Sequence, residues 1–148
     1  ELASMKEELE DRTRVAVQAA ATRPPEARPN IDNCRHCGVK QLCDAYWRGP
    51  TMQRLAREAP PDERFQDVQL RVLGRHGPNS WDAVAEVSSI FHDGQTVILR
   101  VPPGEARLRA GRRFRVLDAA ATLPLEEESQ PGIVSTHSTS EIYEVDSE

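Results

Sequence analysis

All three cysteines of this chain lie within ten residues, in the stretch NIDNCRHCGVKQLCDAYW. Cys34, Cys37 and Cys43 have the spacing C-x2-C-x5-C, and a C-x2-C pair is a common metal-ligand spacing. Pairing into disulfides would leave one thiol over, and the charged N-terminal segment does not resemble a secretory signal. We therefore expect a cytoplasmic protein with reduced thiolates, and the stretch predicts that these three cysteines bind one metal centre.

The identity of that centre depends on a fourth ligand. Zinc prefers four Cys or His ligands in a tetrahedron, and an iron–sulfur cubane takes four thiolates. A zinc site completed by a histidine and a [4Fe–4S] cluster completed from outside this chain are both open, as is a set of ordinary buried thiols. The candidate histidines in this chain are His36, His76, His92 and His137.

The elements around the cysteines fall into two regions. Residues 1–21 predict a helix, which must end at the prolines of TRPPEARPN, and TMQRLAREA predicts a short second helix before Pro60 and Pro61. We place a domain boundary there. The prediction is a helical cysteine-containing tail over residues 1–61 and a β domain over residues 62–148.

Period-two alternation of apolar and polar residues predicts five strands in the second region. It places Leu70, Leu99, Phe114 and, on the second strand, Val87 on the apolar faces, and Arg71, Arg100, Arg113 and Arg115 on the outward faces. In fold class the chain is therefore expected to be mixed, with a short α-helical segment and an all-β, five-stranded, OB-like barrel. The ten-residue link between the third and fourth strands has room for the short helix that an OB-fold places there. An SH3-like barrel and a loose sandwich are the alternatives. The five segments are DVQLRVLGR, WDAVAEVSSIF, QTVILRV, RRFRVLDAAATLP and GIVSTHSTSEIYEV.

The helix, the proline-rich linker and the C-x2-C-x5-C motif together resemble the C-terminal end of RecB-like PD-(D/E)XK nucleases. The resemblance covers residues 1–47, about a third of the chain. It implies that Cys34, Cys37 and Cys43 are three of the four ligands of a [4Fe–4S] cluster, with the fourth cysteine located before the catalytic core and outside this chain. It also implies that the rest of the nuclease polypeptide, or a helicase-type subunit, is the partner.

The catalytic residues that this family requires are absent from the sequence. The family pattern needs an acidic residue two positions before a lysine, as Asp/Glu-x-Lys, and the two lysines, Lys6 and Lys40, follow Ser4-Met5 and Gly38-Val39. We therefore expect no catalytic residue in this chain and interpret it as a fragment of a DNA repair hydrolase. A zinc-binding module that docks onto another protein, without enzymatic activity, is the alternative.

A barrel beside a nuclease tail suggests binding of single-stranded DNA through basic and aromatic side chains. The charge supports this weakly, since the net charge is −5 and residues 65–125 carry eight arginines against six acidic residues. Three glutamates at 126–128 would repel phosphate. No apolar run approaches the roughly 18 residues of a membrane span. The predicted DNA-binding residues are Arg71, Arg100, Arg113, Arg115 and Trp81, with Phe91 and Tyr143 as further stacking candidates.

Overall fold

The computed structural model describes residues 2–21, 27–58, 65–105, 107–124 and 130–145. Three α-helices precede the strands, and a single 3-10 turn, Lys40–Leu42, lies between the second and third of them. None of the helices in these ranges has the length and apolar character that crossing a membrane would require. The helices are α1 (Leu2–Ala21), α2 (Ile31–Arg35) and α3 (Gly49–Glu58).

The predicted helix before the prolines is confirmed by α1. Its surface carries ion pairs one turn apart, such as Arg12 with Glu8 at 2.6 Å between Nη2 and Oε1. The apolar side chains Met5, Leu9 and Val17 are all exposed. None of the described side chains of α1 is buried, and none belongs to either apolar cluster of the structure.

Six strands form one sheet with the order β1-β2-β3-β5-β4-β6. A further pairing of β1 with β4 closes the first five strands into a barrel, and β6 extends β4 on the outside. All neighbours are antiparallel except β3 and β5. The strands are β1 (Phe65–Gly77), β2 (Ser80–Ser88), β3 (Thr96–Arg100), β4 (Arg113–Thr122), β5 (Gly132–Ser135) and β6 (Glu141–Val145).

The inward positions of the barrel follow the alternation in the sequence. Apolar side chains at every second position of β1, β3 and β4 enter one core, because successive residues of a strand face opposite sides of the sheet. Phe114 is the largest fully buried side chain. Phe91 closes one side of the barrel against Gly132, where any side chain would collide with its ring, since a Cβ would lie 2.4 Å from Phe91 Cε1.

Three details of the barrel differ from the sequence prediction. The fifth predicted strand, GIVSTHSTSEIYEV, is divided into β5 and β6 by a turn in which the His137 amide donates to Ser140 Oγ. A register shift between Gln69 and Leu70 moves Val87 from the predicted inner face to the outer face. The described residues between β3 and β4 form turns and no helix.

Residues 31–58, here called the cysteine module, pack on the outer face of the barrel. A second apolar cluster joins Tyr46, Trp47 and the α3 side chains Met52 and Leu55 to Leu117 of β4. Val87 and Tyr143 border the same cluster. The predicted domain boundary at Pro61 lies outside the described residues.

Candidate metal centre and barrel surface

The first cysteine lies on the short helix α2. Asn30 caps this helix, because its side-chain oxygen accepts from the Asn33 amide at 2.8 Å and its carbonyl accepts from the Cys34 amide at 2.9 Å. Arg54 of α3 donates to the Pro29 carbonyl at 2.6 Å and so fixes the chain that enters α2. The Cys34 side chain is half-buried against the apolar cluster of the module.

The other two cysteines lie on consecutive tight turns. The Cys37 amide donates to the Cys34 carbonyl at 3.3 Å, the Lys40 amide to the Cys37 carbonyl at 3.4 Å, and the Cys43 amide to the Lys40 carbonyl at 3.1 Å. The Cys43 carbonyl then accepts the amides of Tyr46 and Trp47. A continuous series of backbone hydrogen bonds therefore joins the three cysteines to the buried aromatic pair.

All three cysteines are free thiols and all are half-buried. Burial raises the pKa of the Cys34 thiol above its usual value, and the nearby Cys43 and Cys37 thiols raise the pKa further, whereas the Asn30 backbone and Lys40 lower it. Within the described ranges, however, no group of three Cys, His, Asp or Glu side chains is arranged so that it could hold a metal ion.

The three thiols favour a metal by their chemistry, whereas the present arrangement of their side chains does not. Three clustered thiols fit a thiophilic metal such as zinc or iron. Ligation would require the side chains to turn toward one point. The candidate histidines do not complete a site in the described residues: all four are exposed, and His76 pairs instead with Asp82, at 2.9 Å between Nδ1 and Oδ1.

A buried aspartate on β1 connects the cysteine module to the barrel. Asp67 Oδ2 accepts from Lys40 Nζ at 2.7 Å and from the Tyr46 hydroxyl at 2.6 Å. Its other oxygen accepts from the Asp118 amide at 2.9 Å, at a bulge where Asp118 has a left-handed φ of 56°. Asp67 was not among the predicted site residues, because its only signal in the sequence is an acidic side chain at the start of a predicted strand.

Arg115 is also located beneath the cysteine module. Its side chain is 10% exposed, and Nη1 donates to the Gln41 carbonyl at 2.6 Å. Nε donates to Gln69 and Nη2 to Asp44, and the guanidinium lies over the Trp47 ring at 5.1 Å from its centroid. Strand alternation predicted an outward Arg115 that contacts DNA, but in this structure the cysteine module covers the guanidinium.

The other predicted DNA-binding arginines are exposed. Arg71 and Arg113 are direct cross-strand partners, and both approach the carboxylate of Glu86, at 3.4 Å and 3.1 Å from their Nε atoms. Glu86 therefore offsets one of the two positive charges. Arg100 lies at the end of β3, and its carbonyl accepts from the Thr136 amide at 3.0 Å. The structure thus groups Arg71 with Arg113 around Glu86. Gln69 connects this group to Arg115, because it donates to Glu86 at 3.2 Å and accepts from Arg115 Nε at 2.9 Å.

The predicted stacking residues differ in accessibility. Trp81 is half-buried at the end of the barrel, and Arg75 covers its ring with the guanidinium carbon 4.8 Å from the centroid. Phe91 is buried in the core, and Tyr143 borders the apolar cluster of the cysteine module. Trp81 and Tyr143 are therefore both partly accessible, whereas Phe91 is not. The glutamates at 126–128 lie outside the described residues.

A small cleft separates the β3–β4 connection from β6. Its volume is about 290 Å³ and its lining includes Glu105, Arg107, His137 and Ser140. The Arg107 guanidinium bonds Glu105 at 2.8 Å and the Ile142 carbonyl at 3.1 Å. Hydrogen bonding from Arg107 lowers the pKa of Glu105 below its usual value. Arg107 therefore connects the β3–β4 connection to β6 through its hydrogen bonds.

Comparison with known proteins gives no match to a family model, to a curated protein or to a solved structure.

Proposed function

We propose that this chain is a part of a RecB-like PD-(D/E)XK nuclease whose cysteine module supplies Cys34, Cys37 and Cys43 to a [4Fe–4S] cluster. The observation that supports the proposal is that three free, half-buried thiols lie within ten residues on one short module that is anchored to a barrel. The fourth ligand would come from outside this chain. When bound, the cluster would cross-link a segment that has only a small apolar core and would thereby stabilise its fold.

The experiment that tests this proposal is anaerobic purification of the chain, both alone and together with the polypeptide that completes the nuclease. Iron, sulfide and zinc are assayed, and the visible absorption spectrum is recorded. A broad visible absorption band, together with equal molar amounts of iron and sulfide, supports the [4Fe–4S] cluster. Colourless protein that contains zinc supports the second candidate below, and protein without either metal refutes both.

We further propose that the barrel is an OB-fold that contacts single-stranded DNA. Its support is the closed five-strand order with a parallel β3–β5 pair, together with exposed arginines on β1, β3 and β4. Arg71, Arg100 and Arg113 would neutralise phosphates, and the exposed part of Trp81 would stack on a base. Arg115, which lies under the cysteine module, is left out of this surface.

The predicted DNA binding is weak and depends on salt. In titrations of a labelled oligonucleotide at low ionic strength, the triple substitution of Arg71, Arg100 and Arg113 by alanine should lower the affinity. It should also reduce the slope of log K against log salt by about 0.7 for each phosphate that the variant no longer neutralises. A matched control replaces Arg12, Arg14 and Arg57, three exposed helical arginines, by alanine. Equal losses of affinity in both triple variants would mean that overall charge alone attracts the DNA.

A second candidate function is a zinc-binding module that docks onto another protein. The observation that favours it is the arrangement of the basic residues, since Arg71 and Arg113 share Glu86 and the cysteine module covers Arg115. This candidate expects bound zinc and no measurable oligonucleotide binding by the wild-type chain.

Both candidates predict that the chain alone does not cleave DNA. Metal-dependent phosphodiester hydrolysis requires carboxylates that hold a divalent cation near an activated water. Asp11 pairs with Arg14 and Asp44 with Arg115, so neither belongs to a carboxylate cluster. The measurement is incubation of the highly purified chain with single- and double-stranded DNA and Mg²⁺ or Mn²⁺. Cleavage that disappears on substitution of a residue within this chain would contradict the prediction.

A further inference from the structure

The turn that leads into the third cysteine is held by two barrel side chains. Lys40 and Gln41 are the first two residues of the 3-10 turn Lys40–Leu42, which immediately precedes Cys43. Asp67 of β1 binds the Lys40 ammonium, and Arg115 of β4 binds the Gln41 carbonyl, at 2.7 Å and 2.6 Å. These contacts join residues far apart in sequence, and they therefore fix the position of the turn relative to the barrel.

The same two side chains also hold the segment that follows Cys43. Asp67 accepts the Tyr46 hydroxyl, and Arg115 contacts Asp44 and lies over the Trp47 ring. Tyr46 and Trp47 in turn donate their amides to the Cys43 carbonyl, and the Trp47 indole donates to the Lys40 carbonyl at 2.8 Å. Cys43 is therefore constrained from both sides.

The chemistry of this contact is more specific than packing alone requires. Burying an aspartate and an arginine has a desolvation cost that an apolar contact avoids, and replacement of buried ion pairs by packed apolar residues is often neutral or stabilising. Asp67 and Arg115 are both buried, at 8% exposure, and every buried polar side-chain atom in the described residues has a partner. Directional hydrogen bonds of this kind select one position of the turn.

We propose that Asp67 and Arg115 are positioning residues that set the location of the Cys43 thiol for metal ligation. This inference rests on the proposed thiolate centre. Neither residue touches the metal in this scheme; each acts through the backbone on either side of Cys43. Outer residues that orient metal ligands typically affect metal affinity by about 10–100-fold.

The test uses Co²⁺ as a probe, titrated anaerobically into the full chain. Competition with a chelator gives the dissociation constant, and the thiolate-to-cobalt and ligand-field bands report the number and geometry of the thiolates. We expect Asp67→Asn and Arg115→Gln each to weaken Co²⁺ binding by about 10–100-fold and to shift the ligand-field bands. Asp82→Asn and Arg112→Gln make the same chemical changes away from the cysteine module and should leave both readouts unchanged.

A loss of packing must be separated from a loss of positioning. Leu117→Ala removes an apolar contact beneath the cysteine module and leaves the polar contacts in place. It should lower the melting temperature while the cobalt spectrum stays that of the wild type. If Asp67→Asn does not fold, Lys40→Met removes the ion pair from the other side and should weaken Co²⁺ binding by at least about tenfold.

The outcomes separate the two proposals. Wild-type protein that does not bind Co²⁺ through its thiols overturns both the thiolate centre and the positioning role. Wild-type binding with Asp67 and Arg115 variants that match their controls overturns the positioning role alone. Spectra that change equally in the Leu117 variant would also overturn it, because ordinary packing would then explain the effect.

Discussion

Replacement of Cys43 by serine lowers the affinity of the chain for metal by on the order of 100-fold. Structural zinc sites with four ligands contribute about 10–16 kcal/mol, so the loss of one thiolate should remove about 3 kcal/mol. Cys34→Ser and Cys37→Ser should have effects of the same order, because the proposal assigns all three thiols to one centre. The measurement is metal content after anaerobic dialysis against a chelator, with a Co²⁺ titration of each variant.

The control for the cysteine variants is Leu42→Ala, since Leu42 is next to Cys43 and its side chain is exposed. It changes the same turn without removing a donor and should bind metal as the wild type does. Metal content that is unchanged in all three cysteine variants would show that the thiols do not form a metal centre.

Replacement of Phe114 by alanine lowers the free energy of unfolding by about 3–5 kcal/mol. The ring is fully buried at the centre of the barrel core, and its removal leaves a cavity that the closed sheet cannot collapse to fill. Chemical denaturation, followed by tryptophan fluorescence and circular dichroism, measures the change. Leu123→Ala is the matched control, because Leu123 is half-exposed beyond the end of β4 and its substitution should change stability by less than about 0.5 kcal/mol. A Phe114 variant as stable as this control would contradict the closed barrel.

The sequence was most informative where one physical rule acts alone. Alternation placed Leu70, Leu99 and Phe114 inside the barrel, because a strand that is buried on one face must repeat every two residues. It was wrong for Val87, because a register shift moves the following residues of the strand to the opposite face of the sheet. The residue types around Val87 do not indicate this shift. The turn that divides β5 from β6 was missed because its threonines and serines are also compatible with a strand.

The candidate site shows a different limit of sequence reasoning. The spacing of Cys34, Cys37 and Cys43 identified the cluster, but the surroundings of the cluster come from strands much later in the chain. Alternation predicted correctly that Arg115 faces outward, yet it contains no information on what covers that face. The contact from Arg115 to the Gln41 carbonyl joins residues 74 positions apart, so local patterns leave it unspecified.

The separation between the cysteine module and its anchors also determines the order of events during synthesis. At translation rates of about 5–20 residues per second, Arg115 follows Gln41 by roughly 4–15 s. During that interval the thiols have left the ribosome without the platform that holds Cys43, and they are open to oxidation or to capture by other thiophilic ions. Under the proposal, metal would therefore bind correctly only after the barrel has closed. A chain whose synthesis stops before β4 would expose its cysteines while it lacks Arg115, one of the two residues that position Cys43.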